Sequence, residues 1–595
     1  MLELVYLVAG NLVVKSSLVK KAVASAEGFN LDYDTATTWW PGHVSIRNLT
    51  LRFEDYNVQF ELSLERAKID IALRELPFNR FRATKLTAEG TRFRMRHKLI
   101  VVGEDAERVA AYPPIRGFAD PPYFTGVRSP PIPDEEYDLW SVQIENVSAR
   151  VSELWVQEYR FSGRGEARGS FVVRPARWVQ VEPASLTLES GTLTLGEHLV
   201  AGEMSGKLEC SIPDMHVQAT EGSAVFREIS ARAELKLTRG RLDFLRAYLA
   251  RLGGDVSYSG AADWEVALKL QRGEVMPASR VELSADPLRL RRKQLSLAGA
   301  LHARLERPVG ADRLRLSWAA PRLEARRGGS REGAPTIEGL TGELELLATH
   351  LDRELGLGQL RAQVQRVSAP SLGWLPLPNV HLRGSANAAA SLAMTEDGRL
   401  SGKAHLNVTD GRLRRGELAA AADLSGQLAL TRESAEAPLR LGRLELLAER
   451  ATLQNGEQAS EPFWARLDGS GLEVALQPKP VVNGKLALHV SSTEALLPLL
   501  VSRPLREVGD ALVSLGDLRA SARIKVESGG VELSGLDARD GKLRLRGHLV
   551  KRGKDPSGKL LVSAGPLNVG VRFEQGSTAV APFVGDDWLA AALTR

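Results

Sequence analysis

From Trp40 onward the dominant signal in the chain is a period of two. Val44 and Ile46 alternate with polar residues, and Leu49, Leu51 and Phe53 continue after a phase slip at Asn48, as a β-bulge would produce. Phe60, Leu62 and Leu64 follow, and Ile69, Ile71 and Leu73 resume after a second slip. The habit returns at Leu186/Leu188, Leu193/Leu195, Val266/Leu268/Leu270, Leu288/Leu290, Leu314/Leu316/Trp318, Val531/Leu533, Leu543/Leu545 and Val569/Val571. Strict alternation puts the apolar side chains on one sheet face and their neighbours on the other. Those neighbours are charged, as in Leu288-Arg289-Leu290 and Leu344-Glu345-Leu346, so the second face meets water. The pattern G-x-L-x-L begins at Gly191, Gly342, Gly426, Gly442, Gly484 and Gly541. Its intervals share no period, which argues against a solenoid of fixed coils and for a meander of antiparallel strands. Turn strings at Glu396-Asp397-Gly398, Thr409-Asp410-Gly411, Gln454-Asn455-Gly456 and Asp540-Gly541 agree.

Helical patterns are few. Met1 to Val14 is apolar except Glu3 and Asn11. As a helix it would span roughly 21 Å, short of a bilayer core of about 30 Å. It reads as the outer half of a membrane anchor, with an ordinary buried helix as the alternative. Ser16 or Ser17 is positioned to cap a short helix through Ala26 that Gly28 ends. Leu242 to Leu252 forms a second pattern before Gly253-Gly254, and about Thr493 to Leu515 a third, interrupted by Pro498 and Pro504. Asp586 to Leu593 can make a short C-terminal helix. Tyr112 to Pro133 holds seven prolines, which forbid ladder and helix alike and predict a stiff connector. The resulting division is residues 1–27 (apolar anchor helix), 28–111 (first β unit), 112–137 (proline-rich linker), 138–370 (β module with helix 242–252), 371–585 (second β module with helix 493–515) and 586–595 (terminal helix).

The fold class expected is mainly β, an elongated, twisted antiparallel sheet with a few short helices. Its apolar face must be covered, and the helices are too few to do it. Sheet-on-sheet packing would give sandwiches. A sheet curled into a groove, or half-pipe, would leave the face to a guest. Acyl chains suit it, because each buried CH₂ contributes about 0.8 kcal/mol. On this reading the groove is lined by Val44, Ile46, Leu62, Leu64, Ile69, Ile71, Leu193, Leu195, Leu288, Leu290, Leu543, Leu545, Val569 and Val571.

Composition narrows the classes further. The 595 residues are 43% hydrophobic and 25% charged, too apolar for a disordered chain, and the lone Cys210 excludes a disulfide scaffold. A net charge of +5 spread over this length, with basic and acidic residues interleaved, argues against a nucleic-acid partner.

Three segments resemble the AsmA-like and TamB-like proteins of the Gram-negative envelope. One is the N-terminal apolar stretch with its short helix and Trp40-Pro41-Gly42-x-Val44-x-Ile46-x-Asn48-Leu49-x-Leu51. The second is the run from Gln59 to Arg96, read as strand, strand, a connector around Leu76-Pro77-Phe78, and strand. The third is the C-terminal half, where a helix near Leu496 to Leu515 precedes strands ending in Leu567 to Phe573. The resemblance implies an inner-membrane anchor at the N-terminus and a periplasmic body built as a long β groove. It also implies membrane phospholipid as the partner, in transport between membranes or in outer-membrane biogenesis. The alternative is a structural or adhesive β-sandwich array of the envelope.

No residue pattern points to catalysis, a cofactor or a metal. Gly553 to Lys559 nearly spells a phosphate-binding loop, but Leu560 stands where the Mg²⁺-binding hydroxyl is required, and Asp555-Pro556-Ser557-Gly558 reads as a β-turn. The ten histidines are scattered, none paired at metal-ligand spacing. Glu54-Asp55, Glu135-Glu136 and Asp586-Asp587 fall in turns or a helix cap. Cys210 reads as a small buried or edge residue. Trp39-Trp40 suits either a membrane-interface belt or a core cluster. Asn48, Asn146 and Asn407 open glycosylation-like strings that read as chance.

Overall fold

A computed structural model describes residues 10–13, 15–16, 18–24, 28–54, 58–98, 106–123, 140–174, 177–216, 227–249, 256–328, 334–351, 356–374, 380–456, 458–475, 481–492, 516–527, 530–541, 543–552, 556–574 and 577–590. Strands make up 76% of the described residues. It divides into two compact units, Met1–Trp318 with Glu345–Leu357, and Ala319–Leu344 with Gly358–Arg595.

The first unit is an open ladder. His43–Glu54 pairs with Phe29–Asp32 and Thr35–Trp40 on one side and with Val58–Ile71 on the other, and Arg80–His97 follows. The next join is parallel, Arg80–His97 with Ser141–Val156, so the expected uniformly antiparallel sheet is corrected at this point. A parallel pair needs a crossover, and residues 98–140 make it. The expected proline connector lies inside that crossover. From Ser141–Val156 the ladder is antiparallel through Tyr159–Arg174, Trp178–Leu195, His198–His216, Ser230–Arg241, Val256–Gln271, Arg280–Arg292 and Leu295–Glu306. In the second unit an antiparallel ladder runs from Leu357–Ala369 to Ser577–Pro582.

Bulges curl these sheets. Asn48 has φ 51°, and on either side of it the buried face passes from Val44/Ile46 to Leu49/Leu51. The slip read from sequence is therefore a left-handed residue, and Asn146 (φ 47°) repeats the device. An extra residue bends its strand and tightens the twist. In the first unit the irregularities at Leu237/Gly240, Gly260/Ala262 and Ala285/Leu288 lie side by side on successive strands, forming a crease. In the second, Arg383/Ser385, Val408/Gly411, Ala421/Asp423 and Ala448/Ala451 do the same. An aspartate on the adjoining strand holds two of the left-handed residues. The Arg239 N–H donates to Asp263 Oδ1 at 2.9 Å and the Asp410 N–H to Asp423 Oδ1 at 2.8 Å.

Helices are short. The described part of the helix expected to reach Ala26 is Leu18–Ala24, residues 25–27 lying outside the described residues, and among the described residues no helix is long and apolar enough to cross a membrane. The described part of the 242–252 pattern is a 3₁₀ turn, Leu242–Leu245, followed by one α-helical turn, Arg246–Leu249, and that of the terminal helix is Asp587–Ala590, with residues 250–252 and 591–593 outside the described residues. Residues 1–9 of the anchor pattern and the 493–515 helix lie outside the described residues.

Candidate functional site: the apolar face of the sheets

Pleating sends alternate side chains to opposite faces, and Leu518–Glu527 displays the result most simply. Leu518, Ala520, Ala522, Ile524 and Val526 are half-buried, while Arg519, Ser521, Arg523, Lys525 and Glu527 between them are exposed. Cross-strand pairing extends the apolar face sideways, Leu488 beside Ala520, Leu486 beside Ala522 and Val482 beside Val526. Half-burial is what neighbouring strands alone provide. Full burial would need a covering layer.

The residues expected to line a groove fall into two groups. Val44, Ile46, Leu62 and Ile69 are half-buried around the core of Leu49, Leu64, Leu86 and Ala149 in the first unit. Leu193, Leu290, Leu543, Leu545 and Val569 are also half-buried, as is Ile71 near the end of its strand. Leu545 and Val569 are brought together through Val562, which pairs with both. Leu64, Leu195, Leu288 and Val571 are instead buried by the protein itself. Leu195 sits under Ala111 and Phe244, and Leu288 packs with Leu242, Ala262 and Ala285.

That cover escaped the sequence reading. The 3₁₀ turn Leu242–Leu245 drops Leu242 and Phe244 onto the apolar face, where Phe244 meets Trp264 with ring centroids 6.1 Å apart. The alternation LDFLRAYLARL signals an amphipathic helix, but nothing in it says which stretch of sheet it covers. A polar lock holds it down. Tyr248 OH donates to Glu158 Oε1 at 2.7 Å, and Arg108 Nε reaches the same oxygen at 2.8 Å. Burial, reinforced by Tyr159 and Glu158, drives the Tyr248 phenol well above its ordinary pKa. Beside it, Glu153 is buried between Arg94 (2.8 Å) and Arg160 (2.6 Å). Burial pushes the Glu153 carboxyl up, and the two guanidiniums more than reverse that, leaving it below the usual carboxylate range.

The proline segment is part of this packing. Pro113 and Pro122 are fully buried, and Arg96, with no exposed surface, threads into the segment. Its guanidinium donates to Gln59 Oε1 (2.9 Å), the Pro113 carbonyl (3.0 Å), Asp120 Oδ1 (2.9 Å) and the Ala119 carbonyl (2.6 Å). Desolvation pulls its pKa down, and the Asp120 charge opposes this.

The opposite face carries ion pairs. Asp468, His489, Arg519, Asp537 and Arg539 line a shallow depression of about 550 Å³. Arg544 and Arg539 both bond Asp537, and hold its carboxyl down at about 2. These charges satisfy one another, so the face is a solvated surface. Among the described residues no three His, Cys, Asp or Glu side chains converge as a metal site. Of the phosphate-loop string, residues 553–555 lie outside the described residues. Gly558 and Lys559 are in strand Pro556–Ala564, where Lys559 Nζ stands 5.0 Å from the Trp588 ring centroid. Cys210 is half-buried within strand His198–His216, between Ala231 and Ala184, and burial raises its thiol pKa. Trp39 and Trp40 are exposed and so belong to no core cluster.

No protein-family model matches this chain, and no curated protein matches it in sequence.

Proposed function

We propose that the apolar faces of these curled sheets form a groove that holds the acyl chains of membrane phospholipid. On this reading the protein is not an enzyme. It is a component of the Gram-negative envelope, held at the inner membrane by its N-terminus with the body in the periplasm. There it moves lipid between membranes or supports outer-membrane biogenesis. The observation that carries the proposal is the half-buried apolar row of Leu518–Glu527 and its neighbours, a continuous face covered by nothing more than the strands beside it among the described residues. The curl supplied by the bulge creases supports a groove over a flat surface. The resemblance to AsmA-like and TamB-like proteins supports the location. Each methylene sheltered there is worth about 0.8 kcal/mol, so a tail seated along several strands is held firmly.

The test is lipid recovered with the protein and crosslinked to it. Photo-crosslinking residues at Leu193, Leu290 and Val569 should capture a tail-labelled phospholipid, whereas the same residue at Arg519 or Lys525 should not. Absence of phospholipid in extracts of the purified protein, together with equal labelling of both faces, would sink the groove and favour a filled structural β array.

A further inference from the structure

One end of the first unit carries an aromatic rim. The hairpin between Thr35–Trp40 and His43–Glu54 turns at Pro41-Gly42, leaving Trp39 78% and Trp40 57% exposed. The Ile71 N–H donates to the Gly42 carbonyl at 2.7 Å, which brings the 3₁₀ turn Leu73–Phe78 against this tip. Leu73 (40% exposed) lies beside Gly42, and Phe78, at the far end of the turn, is 72% exposed. The Asn79 carbonyl then accepts the Ser141 N–H at 3.0 Å, placing Trp140, 44% exposed, at the same end. Arg74, whose side chain is 82% exposed, stands among them. Folding gains nothing by leaving three indoles and a phenyl ring in water at one end of the sheet, and exposed apolar residues gathered there suit a contact surface.

The N-terminal segment identifies what the surface meets. Asn11 clamps the edge strand beside the rim, its Nδ2 donating to the Thr38 carbonyl at 2.7 Å and its Oδ1 accepting the Thr38 N–H at 3.1 Å. Leu12 (65% exposed) and Val13 (46%) are also uncovered there. The described chain thus begins, at Gly10 and Asn11, beside Thr38, and the residues that precede it in the sequence are apolar except Glu3. Tryptophan is favoured where an apolar layer borders water, since the ring enters the apolar side while the N–H keeps a polar partner.

We infer that Trp39, Trp40, Leu73, Phe78 and Trp140 form a membrane-docking rim that seats this end of the body in the headgroup region of a bilayer. The inference does not depend on the inner face holding lipid. It assigns an orientation, with this end of strand Arg80–His97 at the membrane and the end bearing Arg96 and the proline segment away from it.

The test uses the full chain with Cys210→Ser and a single environment-sensitive label at Phe78→Cys, or at Tyr123→Cys in the segment docked at the other end of that strand. On adding vesicles of phosphatidylethanolamine and phosphatidylglycerol, the label at 78 should shift to the blue and be quenched by brominated acyl chains. The label at 123 should do neither. A label at 78 that stays wet on vesicle-bound protein, equal responses at both sites, or no binding to vesicles would each overturn the rim. A readout without added cysteine guards against misfolding of the Cys210→Ser chain. Brominated lipid should quench the tryptophan emission of the native chain, and W39F/W40F should lose most of that quenching. Quenching unchanged in W39F/W40F would also overturn the rim.

Discussion

Taking away the Arg96 side chain strips four acceptors of their donor at once, in a place no water reaches from the Arg96 side. We expect Arg96→Ala to cost about 3 kcal/mol, the scale of breaking a buried, hydrogen-bonded charge. Because two of the four acceptors are the Pro113 and Ala119 carbonyls, the loss should appear as new protease cleavage within residues 111–123 before the strands open. Urea unfolding followed by mapping of the first cleavage site checks both. Sequence reading could not reach this residue. Arg92, Arg94 and Arg96 alternate identically along one strand, and only docking of a segment some twenty residues on distinguishes Arg96 from the others. Asn48 is the opposite case. A left-handed residue in a strand leaves a mark one side chain long, a switch from even to odd apolar positions, so its phase slip was legible, although the register to Val58–Ile71 runs on unshifted across it.

At the scale of elements, the period of two marked strands such as His43–Glu54, Val256–Gln271 and Leu543–Arg552, because pleating depends on no distant partner, while others such as Tyr159–Arg174 and Leu518–Glu527 were not picked out. The bulge crease was legible where apolar phase slips and hidden where glycine carries it. Gly260 has φ 140° and faces the Pro287 carbonyl of the next strand so closely that a Cβ would collide with it. Gly535 also has a left-handed backbone (φ 60°), but open space lies around it. We expect Gly260→Ala to destabilise its sheet by about 3 kcal/mol or more, adding backbone strain to a backbone clash, and Gly535→Asn to be tolerated. Hydrogen exchange should show the loss in Ser230–Arg241, Val256–Gln271 and Arg280–Arg292, the strands that share the crease. Equal tolerance of both substitutions would mean that the crease is not set by backbone approach. The candidate lining was legible to the same degree. Alternation identified the face, but the burial of Leu195 and Leu288 came from the turn Leu242–Leu245, and where a turn lands is a tertiary fact.

For the whole molecule, two compact units predict unfolding that is not two-state. Each strand of the described ladders touches chiefly the strands beside it, so stability adds locally and damage stays local. Gly260→Ala should therefore lower the transition of the unit that contains it and leave protection in strands such as Leu418–Arg432 and Leu518–Glu527 unchanged. One merged transition, displaced as a whole, would refute that independence. The interleaved charge that yields a net +5 fits the same picture, because ion pairs such as Asp537 with Arg544 are closed between adjacent strands.

The parallel join between Arg80–His97 and Ser141–Val156 has a consequence for the order in which the chain assembles. Antiparallel neighbours linked by short turns can dock as soon as each emerges, in the direction of synthesis, at little cost in loop closure. At the parallel join the nascent chain must wait until residues 98–140 have been added, so the strands before it can form a first meander ahead of everything that follows. The seam is a timed pause, and it falls just after the strands that carry Trp39, Trp40 and Phe78 at their turns. The first meander, which carries Trp39, Trp40, Leu73 and Phe78, is thus the first part of the sheet complete, and Trp140 joins that end only with Ser141–Val156.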